Sequence, residues 1–257
     1  MEEVITQIKK KKELSYLDDT YIKNYIKKYL LQNPKTNLNS KKDVKKIIKF
    51  VRDKAHSVYG MFQSKNIKKR EEFLKNKDFE KLLTTHISTR ERLKVYPKLY
   101  KKIFSYIKPK SILDIGCGLN PVSYPYMKIK PKYIASDFNK KDMDFLTKFF
   151  KTFKINGKAV KLDLINDLKK LKKYKVDVCF LFKVLDSLES VKKYISYEII
   201  KNINAKYIIV SFPLKTVSGK KEMKLKKRNW FEKVILRTGY TFKTFELSDE
   251  LYYVIKT

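Results

Sequence analysis

From Pro109 onward, short apolar runs alternate with amphipathic stretches, and this alternation limits the fold more than any other feature of the sequence. Strand candidates are SILDIG (111–116), KYIASD (132–137), KAVKLD (158–163), VDVCFLF (176–182) and KYIIVSF (206–212). Helical stretches fill the intervals near 140–153, 165–173, 190–203 and 225–237. Strands and helices in alternation produce a mostly parallel sheet covered on both faces. YTFKTFEL and LYYVIKT then follow one another directly, which predicts an antiparallel hairpin at one edge of a seven-stranded sheet.

The first 107 residues have a different texture. YIKNYIKKYLL (21–31) puts Ile22, Tyr25, Ile26 and Leu30 at helical spacing, and Asn33-Pro34 stops it. A second segment, 41–62, repeats the pattern through Val44, Ile47, Ile48 and Val51. A third runs over 67–83, and a fourth follows TTHISTRER (84–92) over 92–107. No strand signal interrupts them. The expected organisation is therefore a helical domain, 1–107, ahead of an α/β domain, 108–257.

Net charge is +34. Residues 1–110 carry 30 basic and 12 acidic side chains, and the remainder 31 and 15, so the excess covers the whole molecule. Such a surface repels itself unless it meets a polyanion, which points to nucleic acid. A lysine-rich solvated surface is the bland alternative, because only six of the 61 basic residues are arginine. No apolar run approaches the roughly 20 residues of a membrane span, and MEEVITQIKKKK lacks a signal core. Cys117 and Cys179 fit neither a disulfide framework nor a zinc site, so a metal-free protein in a reducing, cytoplasmic compartment is expected.

The chemistry is concentrated in LDIGCGLNP (113–121). An acidic residue, Asp114, closes an apolar strand, and Gly116 and Gly118 then turn the chain toward a helix. Open parallel sheets bind ligands at such strand ends, and glycine lets the backbone come close to a ligand. A dinucleotide fingerprint needs a third glycine, but Leu119-Asn120-Pro121 stands there. The second strand ends at Asp137, placed to accept two ribose hydroxyls, and the third at Asp163, placed to accept from an adenine amino group. A carboxylate after a strand is ordinary turn chemistry. Three in succession behind a glycine turn point to S-adenosyl-L-methionine, and the terminal hairpin suits a Rossmann-like class I methyltransferase.

Four blocks occur in order: HISTRER (86–92), LDIGCGLNP, LFKVLDSLE (181–189) and SFPLKTVSGK (211–220). Together they resemble the aminoglycoside-resistance 16S rRNA guanine-N7 methyltransferases over roughly residues 50–240. The resemblance implies that Arg90 contacts the cofactor's methionine carboxylate, with His86 and Thr89 shaping that pocket. It implies that Gly116 lines the cofactor, Asp137 holds the ribose, and Asp163 with Leu164 frames the adenine. Lys183 would face the transferred methyl group from the acceptor side. The N-terminal helices would dock on rRNA of the assembled small subunit, the enzyme acting as a monomer. Asp186 departs from the family, which has proline there.

Guanine N7 suits the motifs present and absent. Its lone pair is unprotonated, so positioning supplies much of the rate and no general base is needed. The [DN]-P-P-[YFW] motif of amine methylation is missing, LFKVLD standing in its place. Cys117 and Cys179 sit poorly for the nucleophile that pyrimidine carbon-5 methylation requires. Arg92, Lys215, Lys220 and Lys221 are RNA-binding candidates, the last three on a polar loop (214–224) expected to close over the target nucleotide. Trp230 and Phe231 fit core packing better than base stacking. The same fold acting on another rRNA or tRNA position, or serving as a catalytically silent assembly factor, is the competing expectation.

Overall fold

A computed structural model describes residues 1–215 and 228–257 of the 257-residue chain. Seven strands form one sheet: β1 (Ser111–Ile115), β2 (Lys132–Asp137), β3 (Gly157–Lys161), β4 (Lys175–Phe182), β5 (Asn204–Pro213), β6 (Thr241–Leu247) and β7 (Glu250–Lys256). Their spatial order is β3-β2-β1-β4-β5-β7-β6. The first five run parallel, and the expected antiparallel hairpin is present. Its last strand, β7, is inserted between β5 and β6, leaving β6 at the edge. Sequence alternation sends Ile112, Tyr133, Val178 and Phe180 to one face, and Leu113, Cys179, Ile208 and Tyr253 to the other.

The described helices are α1 (Glu2–Lys9), α2 (Asp19–Gln32), α3 (Lys41–Val58), α4 (Arg70–Lys75), α5 (Phe79–Thr84), α6 (Ile87–Arg92), α7 (Tyr96–Phe104), α8 (Lys140–Thr152), α9 (Leu185–Val191), α10 (Ile195–Asn202) and α11 (Asn229–Arg237). Several expected helices are broken, each for a local reason. The 67–83 segment divides at Lys77, which is left-handed, and Asp78 caps α5 by accepting from the Lys81 amide at 2.9 Å. The 190–203 segment divides at left-handed Tyr194, where the Glu189 carboxylate accepts from the amides of Tyr194 and Ser196. After the glycine turn, Asn120–Met127 is a 3₁₀ segment. Pro121 and Pro125 lack the amide donors that an α-helix needs.

The cores do not divide at residue 107. Residues from Val4 to Tyr59 bury their apolar side chains together, through Ile22 and Ile26 of α2 and Ile47 and Val51 of α3. Leu74 to Ile103 instead pack into the core on one face of the sheet, with Phe149 of α8 and Phe180 of β4. Phe231 and the half-buried Trp230 belong to the core of the opposite face. Cys179 is fully buried in β4.

A buried ion pair bolts the helical part to the sheet. Arg70 of α4 meets Asp142 of α8, and both are almost completely enclosed. Arg70 also donates to Gln63 and Thr85, while Asn139 donates to Asp142 and to the Tyr59 hydroxyl. Removing one member strands a charge in a low-dielectric interior. Asp142→Ala should therefore cost about 3–5 kcal/mol in urea unfolding, and Arg70→Met with Asp142→Leu should recover most of that loss.

Candidate active site

One cleft opens at the carboxyl ends of β1, β2 and β4, where the strand order reverses. It collects Asp114, Gly116, Cys117, Gly118, Asp137, Asp163 and Leu164, with His86, Thr89 and Arg92 of the helical part and Lys183 after β4. Three carboxylates spread over 50 residues of sequence thus share a wall. Asp114 lies one residue before the end of β1, Asp137 ends β2, and Asp163 stands two residues beyond β3.

The glycine turn has a tighter reason than ligand approach alone. Gly116 and Gly118 both have positive φ, +60° and +49°. A Cβ at Gly116 would lie 2.7 Å from Val184, and one at Gly118 would lie 2.8 Å from His86. The bend is therefore clamped by neighbouring side chains as well as by its dihedrals. Asp137 holds it from below, accepting from the Gly118 amide at 2.9 Å and from the Phe138 amide at 2.7 Å. Burial pushes the Asp137 pKa up to about 6 against those hydrogen bonds. Burial likewise pushes Asp114 up to about 7, although Tyr133 and Asn120 both donate to its Oδ2. His86 is held neutral: burial first, then the positive charges of Arg70, Arg92 and Lys183, lower its pKa to about 3. Its ring stacks on Phe62 at 5.9 Å.

The two arginines of HISTRER lie on different sides of their helix. Arg92, expected to meet RNA, is buried and lines the cleft. Arg90, expected at the cofactor, is exposed and does not line it. The segment is α6, whose buried face carries Ser88, Thr89 and Arg92. Residue 92 lies three positions after Thr89 and shares its face, whereas residue 90 turns away. Helical phase was the signal that could have found this. Thr89 uses its hydroxyl on the carbonyls of Leu83 and His86, so it shapes the wall while its donor is spent.

Arg92 grips Glu250 of β7 with two hydrogen bonds of 2.8 and 2.9 Å and lies over the Phe182 ring. Ser211 also donates to Glu250, and the Lys183 Nζ stands 3.2 Å from it and 2.7 Å from Glu91. Burial acts to raise the Glu250 pKa, but Arg92 and Lys183 outweigh it and hold the carboxyl below its usual value. Glu250 carried no sequence signal, because an acidic residue at a strand start is ordinary.

A second cavity of about 600 Å³ adjoins the cleft, sharing Phe62, Arg92, Lys183 and Ser187 with it. Glu91, Asp186, Lys215, Asp249 and Glu250 also line this cavity. Lys215 pairs with Asp249 at 2.7 Å. Asp186, the departure from the family pattern, pairs with Arg228 at 3.0 Å. Lys220 and Lys221, with most of the loop expected to close over the target, lie outside the described residues. The lining residues that the sequence did not suggest include Tyr21, Tyr59, Gln63, Phe138 and Val184.

The sheet order, the glycine turn and the acidic cleft together define the S-adenosylmethionine-dependent methyltransferase fold. The residues fit that cofactor's chemistry. His86 Nδ1 and Asp114 Oδ1 are buried with no hydrogen-bond partner among the described residues, and Leu162, Leu164 and Ile165 offer an apolar surface beside the carboxylates. The chain belongs to the FmrO family of ribosomal RNA methyltransferases, whose model matches residues 72–254. It is 27% identical over 234 residues to a 16S rRNA (guanine(1405)-N(7))-methyltransferase of Micromonospora rosea, covering 84% of each chain. A protein of the same name from Micromonospora echinospora is 30% identical over 178 residues, 68% of this chain and 64% of the relative. Among solved structures, the 16S rRNA methyltransferase RmtF in complex with S-adenosyl-L-homocysteine superposes with a TM-score of 0.80. That match has 22% identity and covers 99% of this chain and 97% of RmtF.

Asp114 gives the site a pH signature. Its carboxyl has a pKa of 3.8 when unperturbed and about 7 in the fold. Between those values the folded protein holds a proton that the unfolded chain has released, so this group's contribution to stability declines as pH rises from about 4 to 7. Thermal melts across that range should show a less negative slope for Asp114→Asn than for the wild type. Identical slopes would contradict a proton on Asp114.

Proposed function

We propose that the protein transfers a methyl group from S-adenosylmethionine to N7 of a guanine in the decoding region of 16S rRNA; in support, its relatives are named 16S rRNA (guanine(1405)-N(7))-methyltransferase. The observation that carries this reading is the joining of two compartments. A cleft with three carboxylates and an apolar shelf shares Arg92 and Lys183 with an adjoining cavity of about 600 Å³, large enough for a nucleotide.

In this reading Asp137 holds the ribose hydroxyls, and Asp163 with Leu164 frames the adenine. Asp114, Gly116, His86 and Thr89 surround the methionine end. Arg92 takes the place that the resemblance gave to Arg90 at that end, with its Nε and one terminal nitrogen already donating to Glu250. When bound, the cofactor supplies a methyl group activated on a sulfonium centre. The protein's work is to align a lone pair with that carbon and exclude water. Guanine N7 needs no base to remove a proton, which fits a site whose one histidine is buried and neutral. The purine gains positive charge as the methyl arrives, and Glu91, Asp186, Asp249 and Glu250 provide carboxylates around the acceptor cavity. Lys183, paired with Glu91 and Glu250, stands between the compartments as a positioning residue.

The lysine-rich exterior supplies the affinity for rRNA. The N-terminal helices would dock on the assembled small subunit, with the protein acting as a monomer in the cytoplasm. No helix among the described residues is long and apolar enough to cross a membrane.

Small subunits incubated with labelled cofactor should acquire one methyl group, mapped by mass spectrometry to a decoding-region guanine. Transfer to another nucleotide would move the reading elsewhere within the family, and no transfer would favour a silent assembly factor. Asp137→Ala should weaken calorimetric cofactor binding by about 1–3 kcal/mol, the scale of a lost charged hydrogen bond. Lys183→Met should slow single-turnover transfer at least ~tenfold while leaving cofactor affinity nearly intact.

A further inference from the structure

The family model begins at residue 72, yet the cleft has a wall that comes from earlier in the chain. Tyr21 of α2 lines it, together with Val58 and Tyr59 at the end of α3. Tyr21 belongs to the core of the first 59 residues, where Ile22, Tyr25 and Ile26 anchor α2. Its ring lies 4.5 Å from that of Phe138, the residue immediately after Asp137. Tyr59 approaches the same ring edge-on at 5.9 Å. Two aromatic side chains from the helical unit therefore hold the residue that follows the ribose-binding candidate.

Polar contacts fix this wall in place. Asp18, the N-cap of α2, accepts from the Thr20 amide at 2.8 Å and from Lys161 at 3.2 Å. Lys161 ends β3, two residues before Asp163. The Tyr59 hydroxyl accepts from Asn139 at 2.9 Å, and Lys141 lies 5.4 Å from the Tyr16 ring. The pins thus reach the segment just after β2 and the end of β3, beside Asp137 and Asp163. A unit attached only for RNA docking has no need to place an aromatic ring in the cofactor cleft.

We propose that the N-terminal helical unit is part of the cofactor site, with Tyr21 forming an aromatic wall against which the adenosine half of S-adenosylmethionine packs. This rests on the cleft being the cofactor site and adds a contributor that lies outside the family model.

The test measures S-adenosyl-L-homocysteine binding to the full chain by calorimetry, without RNA. Tyr21→Ala should weaken binding about tenfold, whereas Tyr21→Phe, which keeps the ring, should stay within about twofold. Hydrogen exchange of the wild type guards against a variant that simply unfolds α2: the ligand should slow exchange in the amides of Asp19–Gln32. Tyr21→Ala binding within about twofold of wild type, or unchanged exchange in α2, overturns the proposal. Asp137→Ala separates the two readings. If it weakens binding while Tyr21→Ala does not, only the aromatic wall fails; if neither matters, the cleft is not the cofactor site.

Discussion

The buried pair between Arg92 and Glu250 organises the site, because it joins residues 158 positions apart in the chain. Two charges withdrawn from water are tolerable only when their hydrogen-bonding capacity is met. Glu250 meets it by accepting from Arg92 twice and from Ser211, with Lys183 close by. Arg92 is covered by the Phe182 ring. The pair thereby fastens α6 to β4, β5 and β7 at the mouth of the sheet. It also fixes the wall that the cleft shares with the second cavity, and Lys183, left-handed at φ 58°, is held at that wall. Lysine would not substitute for Arg92, since a point charge cannot form the two-pronged contact.

The second constraint is the bend at Gly116 and Gly118. Val184 and His86 occupy the directions that side chains would take there, so the bend, the loop after β4 and the start of α6 fit together as one piece. Arg70, Gln63 and Thr85 continue that piece toward α8 through the pair with Asp142. The result is a cleft whose floor comes from the sheet and whose sides come from helices on either side of it. Asp114 and Asp137 bring buried carboxyls with raised pKa values to the wall of that cleft.

The surface follows a different logic. Most of its ion pairs are exposed, such as Lys140 with Asp144 and Lys148 with Glu71, and pairs of that kind contribute little to stability. With 61 basic residues against 27 acidic ones, most lysines cannot find a carboxylate in the same chain. A polyanion supplies the missing partners, and membership of a ribosomal RNA methyltransferase family says which kind.

Much of this was legible in the residues because it depends on neighbours in sequence. Alternation of apolar runs determined the seven strands and the terminal hairpin, and the glycine turn with its strand-end acids located the cleft. Helix breaks at Lys77 and Tyr194 were not legible, since they depend on capping by single side chains within otherwise periodic segments. The placement of Arg90 and Arg92 follows the phase of α6, whose buried face, Ser88, Thr89 and Arg92, is set by what that helix packs against. Glu250 and Tyr21 could be recognised only after folding. Their roles rest on distance across the fold: one lies opposite Arg92 because β7 inserts beside β5, and the other reaches Phe138 because α2 packs over the ends of β2 and β3. Sequence determined which residues could do the chemistry. Tertiary structure decided which of them are buried together, because burial and the pairing of charges are properties of contacts between distant segments.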